Sequence, residues 1–159
     1  MAGDKVATRS IMHEAEDLEL GALGGSVGFL VRLAQLEIFE MFYEAEGLEG
    51  VRPGEFSILY LASINPGARQ GALARRLRIK RAHMAKLVTG LEARDLLRRE
   101  VPEGDRRALR IFLTEGGARF VEERAPAFLD QTRRETARLS TDEAATLVAL
   151  LHKFTGIRP

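Results

Sequence analysis

The sequence predicts a mainly α-helical protein with a small β-hairpin, arranged as a winged helix-turn-helix domain between long N-terminal and C-terminal helices. Charge is the first observation behind this fold class: residues 69–110 carry 13 Lys or Arg against 5 Asp or Glu, whereas residues 1–68 carry 4 against 11. The second is that this basic segment holds two helical patterns joined by a tight turn, and the third is that two strand patterns with an acidic turn follow. A concentrated cationic field attracts a polyanion, and duplex DNA has the highest regular charge density of these.

Length and composition fit one globular domain. The chain has 159 residues, of which 45% are hydrophobic and 30% charged, as is ordinary for a folded soluble protein. Because it has no Cys, disulfides, thiolate zinc sites and thiol redox sensing are excluded. No apolar run reaches the roughly 18 residues of a membrane helix, and a signal peptide's basic start and apolar middle are missing. We therefore expect a cytoplasmic protein with no membrane partner, no cofactor and no metal.

The N-terminal third divides into an arm and a helix. Residues 1–26 are acidic and glycine-rich, with few apolar side chains to offset the entropy of ordering them. We expect a partly flexible arm that orders only against a partner. From Val27 to about Glu46, apolar residues recur every three or four positions, which predicts a long helix. Its apolar arc is wide, which is typical of a helix that packs both on its own domain and on a second copy.

Three further helices should follow in the middle of the chain. Pro53 suits the first turn of a helix, and Asn65-Pro66-Gly67 predicts the turn after it. A short helix from about Arg69 to Leu77 comes next, then a longer one from about Lys80 to Ala93, with Arg78-Ile79 between them. The longer helix carries an apolar stripe at positions i, i+3, i+4 and i+7, formed by Met84, Leu87, Val88 and Leu91. Its opposite face is small or basic, so it can enter a major groove without obstruction.

A hairpin and two helices complete the pattern. Residues 97–101 and 107–113 read as strands, and residues 102–105 read as the turn that joins them. A long helix opens at Thr114, and Pro126 should kink or interrupt it. The stretch from Ser140 to Glu143 has the pattern of a capping box and therefore predicts the start of a last helix.

At these residues the chain resembles the MarR family of winged-helix transcription regulators. Asp105-Arg106-Arg107, followed by Leu113-Thr114 and Gly117, matches the family's wing pattern D-x-R-x5-L-T-x-x-G at every fixed position. The helices predicted before the wing also look like those of the family, in the same order. The resemblance extends from about Val27 to Phe154.

The resemblance implies an architecture and a function. Family members are homodimers, so residues 27–50 and 115–157 would be dimerisation helices and residues 51–114 the DNA-binding lobe. The two recognition helices would enter successive major grooves of a pseudo-palindromic operator, with half-sites about 10 base pairs apart or a multiple of that. A regulator of this kind is more often a repressor, and it releases DNA when a small effector binds.

Two positions depart from the family pattern. Arg69 and Lys80 stand before helices where the family usually has a side chain that accepts a hydrogen bond. Because neither residue accepts one, each gives up roughly 0.5 to 2 kcal/mol of capping energy, and a cation also opposes the helix dipole. A DNA phosphate at the helix start would repair both defects. The departures could also simply be tolerated, and the sequence leaves both interpretations open.

The candidate DNA contacts fall into three groups. Arg81 and Lys86 are the best candidates for base contacts, His83 suits a phosphate or water at least as well, and the small Ala82 and Ala85 allow close approach. The whole recognition-helix set is Lys80, Arg81, Ala82, His83, Ala85 and Lys86. The resemblance implies wing contacts from Asp105, Arg106 and Arg107, with Arg107 in a minor groove and Asp105 orienting it. Sequence-independent phosphate contacts are expected from Arg69, Arg75, Arg76, Arg78, Arg98 and Arg99, and Arg110 is a further candidate, although some of these will only be solvated.

An effector pocket is implied near the junction of the dimer helices and the lobe. Its wall would come from His13, Phe29, Arg32, Leu33, Phe56 and Tyr60. Helical spacing alone explains the aromatic residues as ordinary core, and a histidine in an arm is often only solvated. An aromatic acid or its thioester is the effector class that the resemblance suggests.

Two other classes of function fit these residues less well. An enzyme is disfavoured, since there is no Cys nucleophile and the three histidines, His13, His83 and His152, are far apart in sequence. A winged helix used only for protein contacts is the alternative reading. Such a module has no need of a basic recognition face with two arginines in the wing, and a salt-titrated DNA-binding assay separates the two.

Overall fold

The computed structural model describes residues 18–102 and 109–157, and the chain forms two compact units, Met1–Glu37 and Ile38–Pro159. In the first unit, Gly21–Gly25 forms a short 3-10 helix, and helix α1, Val27–Glu44, begins soon after it. The sequence had placed this glycine-rich stretch within the partly flexible arm. Gly21 lies in the left-handed region at φ 50°, which a residue without Cβ adopts at little cost.

The second unit holds the remaining helices and one small sheet. Helices α2 to α6 span Pro53–Ile64, Gln70–Arg76, Arg81–Ala93, Glu115–Arg134 and Thr141–Thr155. The strands are β1, Ala68–Arg69, β2, Leu97–Glu100, and β3, Arg110–Leu113, in the antiparallel order β1-β3-β2. The mainly helical fold with a small hairpin is therefore confirmed.

The sheet differs from the sequence prediction in two respects. Strands β2 and β3 form the expected hairpin, with Leu97 opposite Leu113 and Glu100 opposite Arg110. Strand β1 was not expected, because Arg69 had been assigned to a helix start. A strand of two residues is too short to show the alternation of apolar and polar side chains that predicts a strand. Strand β1 forms because it pairs with the edge of β3. The residues of the wing tip, Asp105, Arg106 and Arg107, lie outside the described residues.

Two apolar clusters hold the second unit together. The larger one joins α2, α3, α4, the sheet and the start of α5, and its fully covered side chains include Ile58, Leu59, Met84, Val88, Leu91, Leu97 and Ile111. Each such side chain contributes roughly 1.5 to 3 kcal/mol through burial. The smaller cluster is formed by Phe42, Ala45, Leu48, Val51 and Phe56, with Phe120, Ala127 and Phe128 against it. The predicted stripe of α4 thus docks the helix on its own lobe.

The junction between α4 and α5 explains the Leu-Thr-x-x-Gly part of the motif. Thr114 caps α5, since its Oγ1 accepts a hydrogen bond from the N–H of Gly117 at 2.9 Å. The same hydroxyl donates to the Asp95 carbonyl. A Cβ on Gly117 would lie 1.7 Å from the carbonyl oxygen of Leu96, so no residue with a side chain fits there. The Thr and Gly of the motif are therefore required by the close approach of α5 to the backbone that follows α4.

Two non-glycine residues in the left-handed region close the helices of the lobe. Asp95, at φ 53°, follows α4, and Arg78, also at φ 53°, follows α3. After α3, the N–H of Arg78 donates to Arg75 O at 3.2 Å and that of Ile79 donates to Ala74 O at 2.9 Å. These paired bonds are the Schellman motif, in which this position is usually glycine. Asp tolerates the left-handed region, whereas Arg adopts it at a cost of about 1 to 2 kcal/mol.

The two C-terminal helices differ from expectation at one position. A kink or an interruption was expected at Pro126; helix α5 continues through this residue, so the helix is not interrupted there. An internal proline costs about 3 kcal/mol, and the packing of the neighbouring Ala127 and Phe128 on the smaller cluster offsets that cost. Helix α6 begins at the predicted capping box, where Ser140 N–H donates to Glu143 Oε2 at 2.8 Å. No residue of α6 is buried.

Candidate nucleic-acid interface

Helix α4 presents two contrasting faces. Met84, Val88 and Leu91 are fully buried, and Leu87 packs against them half-buried. Away from the stripe the helix is solvent-exposed at Arg81, Ala82, His83 and Lys86, of which Ala82 and Lys86 lie opposite the stripe, while Ala85 is half-buried. The arrangement expected of a recognition helix is therefore present: bulky groups fix the helix from behind, and small or cationic groups remain in front.

A basic groove lies between α3 and the start of α4. It has a volume of about 690 Å³, and its polar lining consists of Arg69, Gln70, Arg75, Arg78, Lys80 and Arg81. The helix-start residues Arg69 and Lys80 provide no side-chain cap, as the sequence predicted. Free N–H groups at the start of α4 therefore face a groove whose charged lining groups are all cationic, which favours an anion there.

A second groove lies on the other side of α4. Its volume is about 710 Å³, and the side chains that matter most for its chemistry are Tyr43, Arg52, His83, Lys86 and Arg94. Arg94 connects two parts of its wall, since its guanidinium donates to Gly50 O at 2.8 Å and pairs with the Glu55 carboxylate at 3.4 Å. Helix α4 is thus flanked by accessible space on both sides, and Lys86 borders this second groove.

Four of the predicted phosphate contacts are engaged within the chain. Arg99 binds the Glu92 carboxylate, with Nε to Oε2 at 3.0 Å, and this hydrogen bond lowers the pKa of Glu92. Arg98 pairs with Glu100 and lies 4.8 Å from the centre of the Phe112 ring. Arg110 and Arg78 donate to backbone carbonyls, those of Gly67 at 3.3 Å and of Thr155 at 2.5 Å.

These pairings were missed by sequence reasoning for a physical reason. Glu92 and Arg99 are seven positions apart, on a helix and a strand, and they meet only because the chain reverses at Asp95. No helical spacing rule covers such a pair. The partners of Arg78 and Arg110 are backbone atoms, which leave no trace in a pattern of side chains. Among the predicted contacts that the structure describes, six have exposed side chains with no ion pair or hydrogen bond: Arg69, Arg75, Lys80, Arg81, His83 and Lys86.

Comparisons with known proteins identify this arrangement. A sequence profile of the MarR family matches residues 49–108. A protein of Thauera aromatica that is assigned as a transcriptional regulator of the hcr operon is 33% identical over 139 residues, which cover 87% of this chain and 84% of that protein. The chain belongs to the MarR family.

Solved MarR-type structures show the same fold. The transcriptional repressor CouR bound to a 23-mer DNA duplex superposes with a TM-score of 0.80 at 28% identity, over 88% of this chain and 99% of CouR. CouR bound to p-coumaroyl-CoA gives a TM-score of 0.78 at 26% identity, over 89% and 100%. This MarR-family chain is therefore a DNA-binding transcriptional regulator with a winged-helix fold.

Two further observations bear on the class of site. Over residues 18–102 and 109–157, no three metal-binding side chains come together as a metal site would require. Within the same ranges, no helix combines the length and the apolar character needed to span a bilayer.

The residues expected to form an effector pocket occupy different settings. Phe56 is fully buried, with its ring 4.7 Å from that of Phe128, so it is a core residue. Tyr60 stacks on Phe56 at 6.2 Å and remains 37% exposed. In the first unit, Phe29 is half-buried, whereas Arg32 and Leu33 are exposed. His13 lies outside the described residues.

One buried polar group of α5 was not anticipated. Gln131 is only 1% exposed, and its Oε1 has no hydrogen-bond partner. Its Nε2 donates to Glu135 at 2.6 Å, and burial raises the pKa of that carboxyl. A buried acceptor without a donor costs about 1 to 3 kcal/mol.

Proposed function

We propose that this chain is a homodimeric repressor whose two copies of α4 enter successive major grooves of a pseudo-palindromic operator, and that a small effector releases it. The observation that carries the proposal is the exposed face of α4. The exposed side chains of Arg81, His83 and Lys86 have no ion pair or hydrogen bond in the described part of the chain. Met84, Val88 and Leu91 of the same helix are fully buried. A helix fixed in this way presents its reading face without a further folding cost.

Base readout is assigned to the first two turns of α4. Arg81 or Lys86 against a guanine supplies about 1 to 3 kcal/mol of discrimination for each good contact. Ala82 is exposed and Ala85 half-buried, so both let the helix approach the bases closely. His83 contacts a phosphate or a water.

The phosphate contacts are assigned to the basic groove and its surroundings. Arg69, Arg75 and Lys80 line that groove and are free to bind an anion. Arg98 and Arg99 would have to leave Glu100 and Glu92 to meet DNA, which makes them weaker candidates. Arg76 is exposed and stays a candidate.

The wing assignment depends on the sequence motif alone. Arg107 would enter a minor groove, where narrow width concentrates negative potential. Asp105 would orient it, and Arg106 would meet a phosphate.

A second copy of the chain accounts for apolar surface that one copy leaves uncovered. In α1, Leu30, Leu36 and Phe39 are 46%, 46% and 39% exposed. In α6, Leu150 is 57% and Phe154 72% exposed. Large exposed apolar patches mark interaction sites. Two-fold pairing would place the same surface of each copy against the other. Half-sites would then lie about 10 base pairs apart or a multiple of that.

The effector is proposed to be an aromatic acid or its thioester. Support comes from CouR, which is 26% identical and was solved with p-coumaroyl-CoA. In the second unit, Tyr60 is 37% exposed and stacks on the buried Phe56, so it offers aromatic surface to such a molecule. Release needs only a difference in affinity between the two states of the dimer; a hundredfold loss of DNA binding requires about 2.7 kcal/mol.

A salt-titrated binding assay tests the function. The probe is the duplex upstream of the protein's own gene, with a scrambled duplex of equal composition as reference. If the dimer meets 6 to 10 phosphates, affinity should fall by about 10³ to 10⁵ between 50 and 200 mM salt. Lys86→Ala should reduce the preference for the upstream duplex, whereas Arg119→Ala, outside the basic segment, should leave it unchanged. Equal binding of both duplexes at every salt concentration would contradict the proposal.

A further inference from the structure

We propose that Arg78 is a positioning residue that fastens the turn between α3 and α4 to the last turn of α6, and so sets where each recognition helix lies. Its guanidinium Nη2 donates to the carbonyl oxygen of Thr155 across 77 positions of sequence. The consequence for DNA recognition rests on the proposed function. The bond itself does not.

The strained backbone at Arg78 indicates that its side chain has a structural role. Arg78 occupies the left-handed position of the Schellman motif that closes α3, with φ at 53°. Glycine adopts this conformation without strain and is the usual residue there. An arginine makes the turn less favourable, but its long side chain can contact a distant residue. Here it contacts Thr155, which lies in the last turn of α6.

The end of α6 is suited to receive a cation. The last carbonyls of a helix have no partner within the helix, and they lie at the negative end of its dipole. The last turn is also ordered by its own contacts. Thr155 Oγ1 donates to Leu151 O at 2.7 Å, and the His152 ring meets Ile157 O at 2.9 Å. The Thr155 carbonyl is therefore held at a fixed place.

The link connects two parts with different proposed tasks. Arg78 lies three positions before Arg81, where α4 begins, so a constraint on Arg78 acts at the start of the recognition helix. Helix α6 has no buried residue, and its exposed apolar side chains are the ones we assign to the dimer. A bond between them ties the recognition helix of each lobe to the dimer helix of the same chain. Arg78 is then not one of the phosphate contacts.

Three variants separate positioning from phosphate contact. Arg78→Gly removes the link while it relieves the strained turn, so the lobe should remain folded. Arg78→Lys keeps a donor of similar reach. Arg75→Ala is the matched control, since Arg75 is an exposed arginine of the same groove without a partner. The DNA is a duplex that the wild-type protein selects from a randomised pool, together with versions that have one base pair inserted or removed at the centre.

We expect Arg78→Gly to bind the selected duplex about tenfold more weakly, as for the loss of one hydrogen bond from a charged donor. Its preference for the selected half-site spacing over the longer and shorter versions should weaken, because the lobes are less firmly placed. The slope of log affinity against log salt should be unchanged, and Arg78→Lys should recover most of the spacing preference. Arg75→Ala should keep the spacing preference and lower that slope by about 0.9.

A second measurement needs no DNA. Hydrogen exchange in peptides that cover the last turn of α6 should be faster in Arg78→Gly than in the wild type, while the melting temperature is equal or higher. The proposal is overturned if exchange is unchanged, or if Arg78→Gly lowers the salt slope and keeps the spacing preference as Arg75→Ala does. If the wild type selects no sequence, the proposed function fails, and the exchange measurement still decides the link.

Discussion

Helices α4 and α6 carry the same kind of sequence pattern and have opposite surroundings. In α4 the stripe residues Met84, Val88 and Leu91 are fully buried. In α6 the comparable residues Leu147 and Phe154 are 41% and 72% exposed. The periodicity of apolar residues therefore predicts that one face of the helix is buried. It does not predict whether that face packs on its own domain or on another molecule.

The difference lies in what the described residues pack against each helix. Helix α4 lies between the short helix α3 and the strand β2, and its stripe belongs to the larger apolar cluster. Helix α6 has no buried residue, and its apolar side chains are exposed. We assign the cover of α6 to a second copy of the chain. Substitutions in the lobe and in α6 test this assignment.

The largest effect is expected for Gly117→Ala. The added Cβ would lie 1.7 Å from the Leu96 carbonyl, a backbone atom that cannot move without separating α5 from the lobe. We expect a loss of about 4 kcal/mol or more in the free energy of unfolding, measured by urea denaturation. Gly90→Ala is the control, because a Cβ there meets nothing within 4 Å and Gly90 is inside α4. It should stabilise the protein by about 0.5 to 1 kcal/mol. Equal stability of the two variants would show that the close approach is absent.

The next effect concerns the buried stripe. Met84→Ala should lower the free energy of unfolding by about 2 to 5 kcal/mol, because the cavity adds to the lost burial. Met84 belongs to the lobe of one chain, so the loss should be the same at low and high protein concentration. Calorimetry over a hundredfold range of concentration measures this. A loss that appears only at high concentration would mean that the stripe is covered by a second copy.

Substitution in the exposed apolar stripe of α6 should weaken dimerisation and leave the stability of each lobe unchanged. Leu150→Ala in α6 should leave the folding of each lobe unchanged and weaken the dimer by about 1 to 3 kcal/mol, the range of a residue at the centre of an interface. Sedimentation equilibrium gives the dimer dissociation constant. Ile64→Ala is the control, since Ile64 of α2 lies in the DNA-binding lobe and is similarly exposed at 60%. A monomeric wild-type protein at micromolar concentration would contradict the assignment.

The sequence predicted features that depend on neighbours along the chain. Pro53 at the first turn of α2, the capping box at Ser140 and the stripe of α4 were all predicted, because each depends on residues within one or two turns. The motif residue Gly117 was recognised, but the reason for it, contact with the backbone at Leu96, required the structure.

Features that depend on distant partners were not predictable. Strand β1 pairs with β3 about 40 positions later, and Arg78 meets Thr155 after 77. The continuation of α5 through Pro126 depends on packing against the smaller cluster, which outweighs the local preference of proline. Charge counts found the basic segment, but they could not separate cations engaged within the lobe, such as Arg99, from those left free, such as Arg75.

The smallest effect is expected for Glu92→Gln, which tests one engaged cation within the lobe. The hydrogen bond from Arg99 holds the pKa of Glu92 below its ordinary value in the folded state. A carboxyl whose folded pKa is lowered stabilises the fold at pH values above its unfolded pKa, and that stabilisation is lost as pH falls through the folded pKa. The wild type should therefore lose more stability between about pH 6 and pH 3 than the variant does. At pH 7 the difference should be below about 1 kcal/mol, because both side chains are partly exposed. Glu115→Gln is the control, since its partner Arg119 is in an exposed pair on α5. Parallel pH profiles for wild type and Glu92→Gln would show that Arg99 is free to bind DNA.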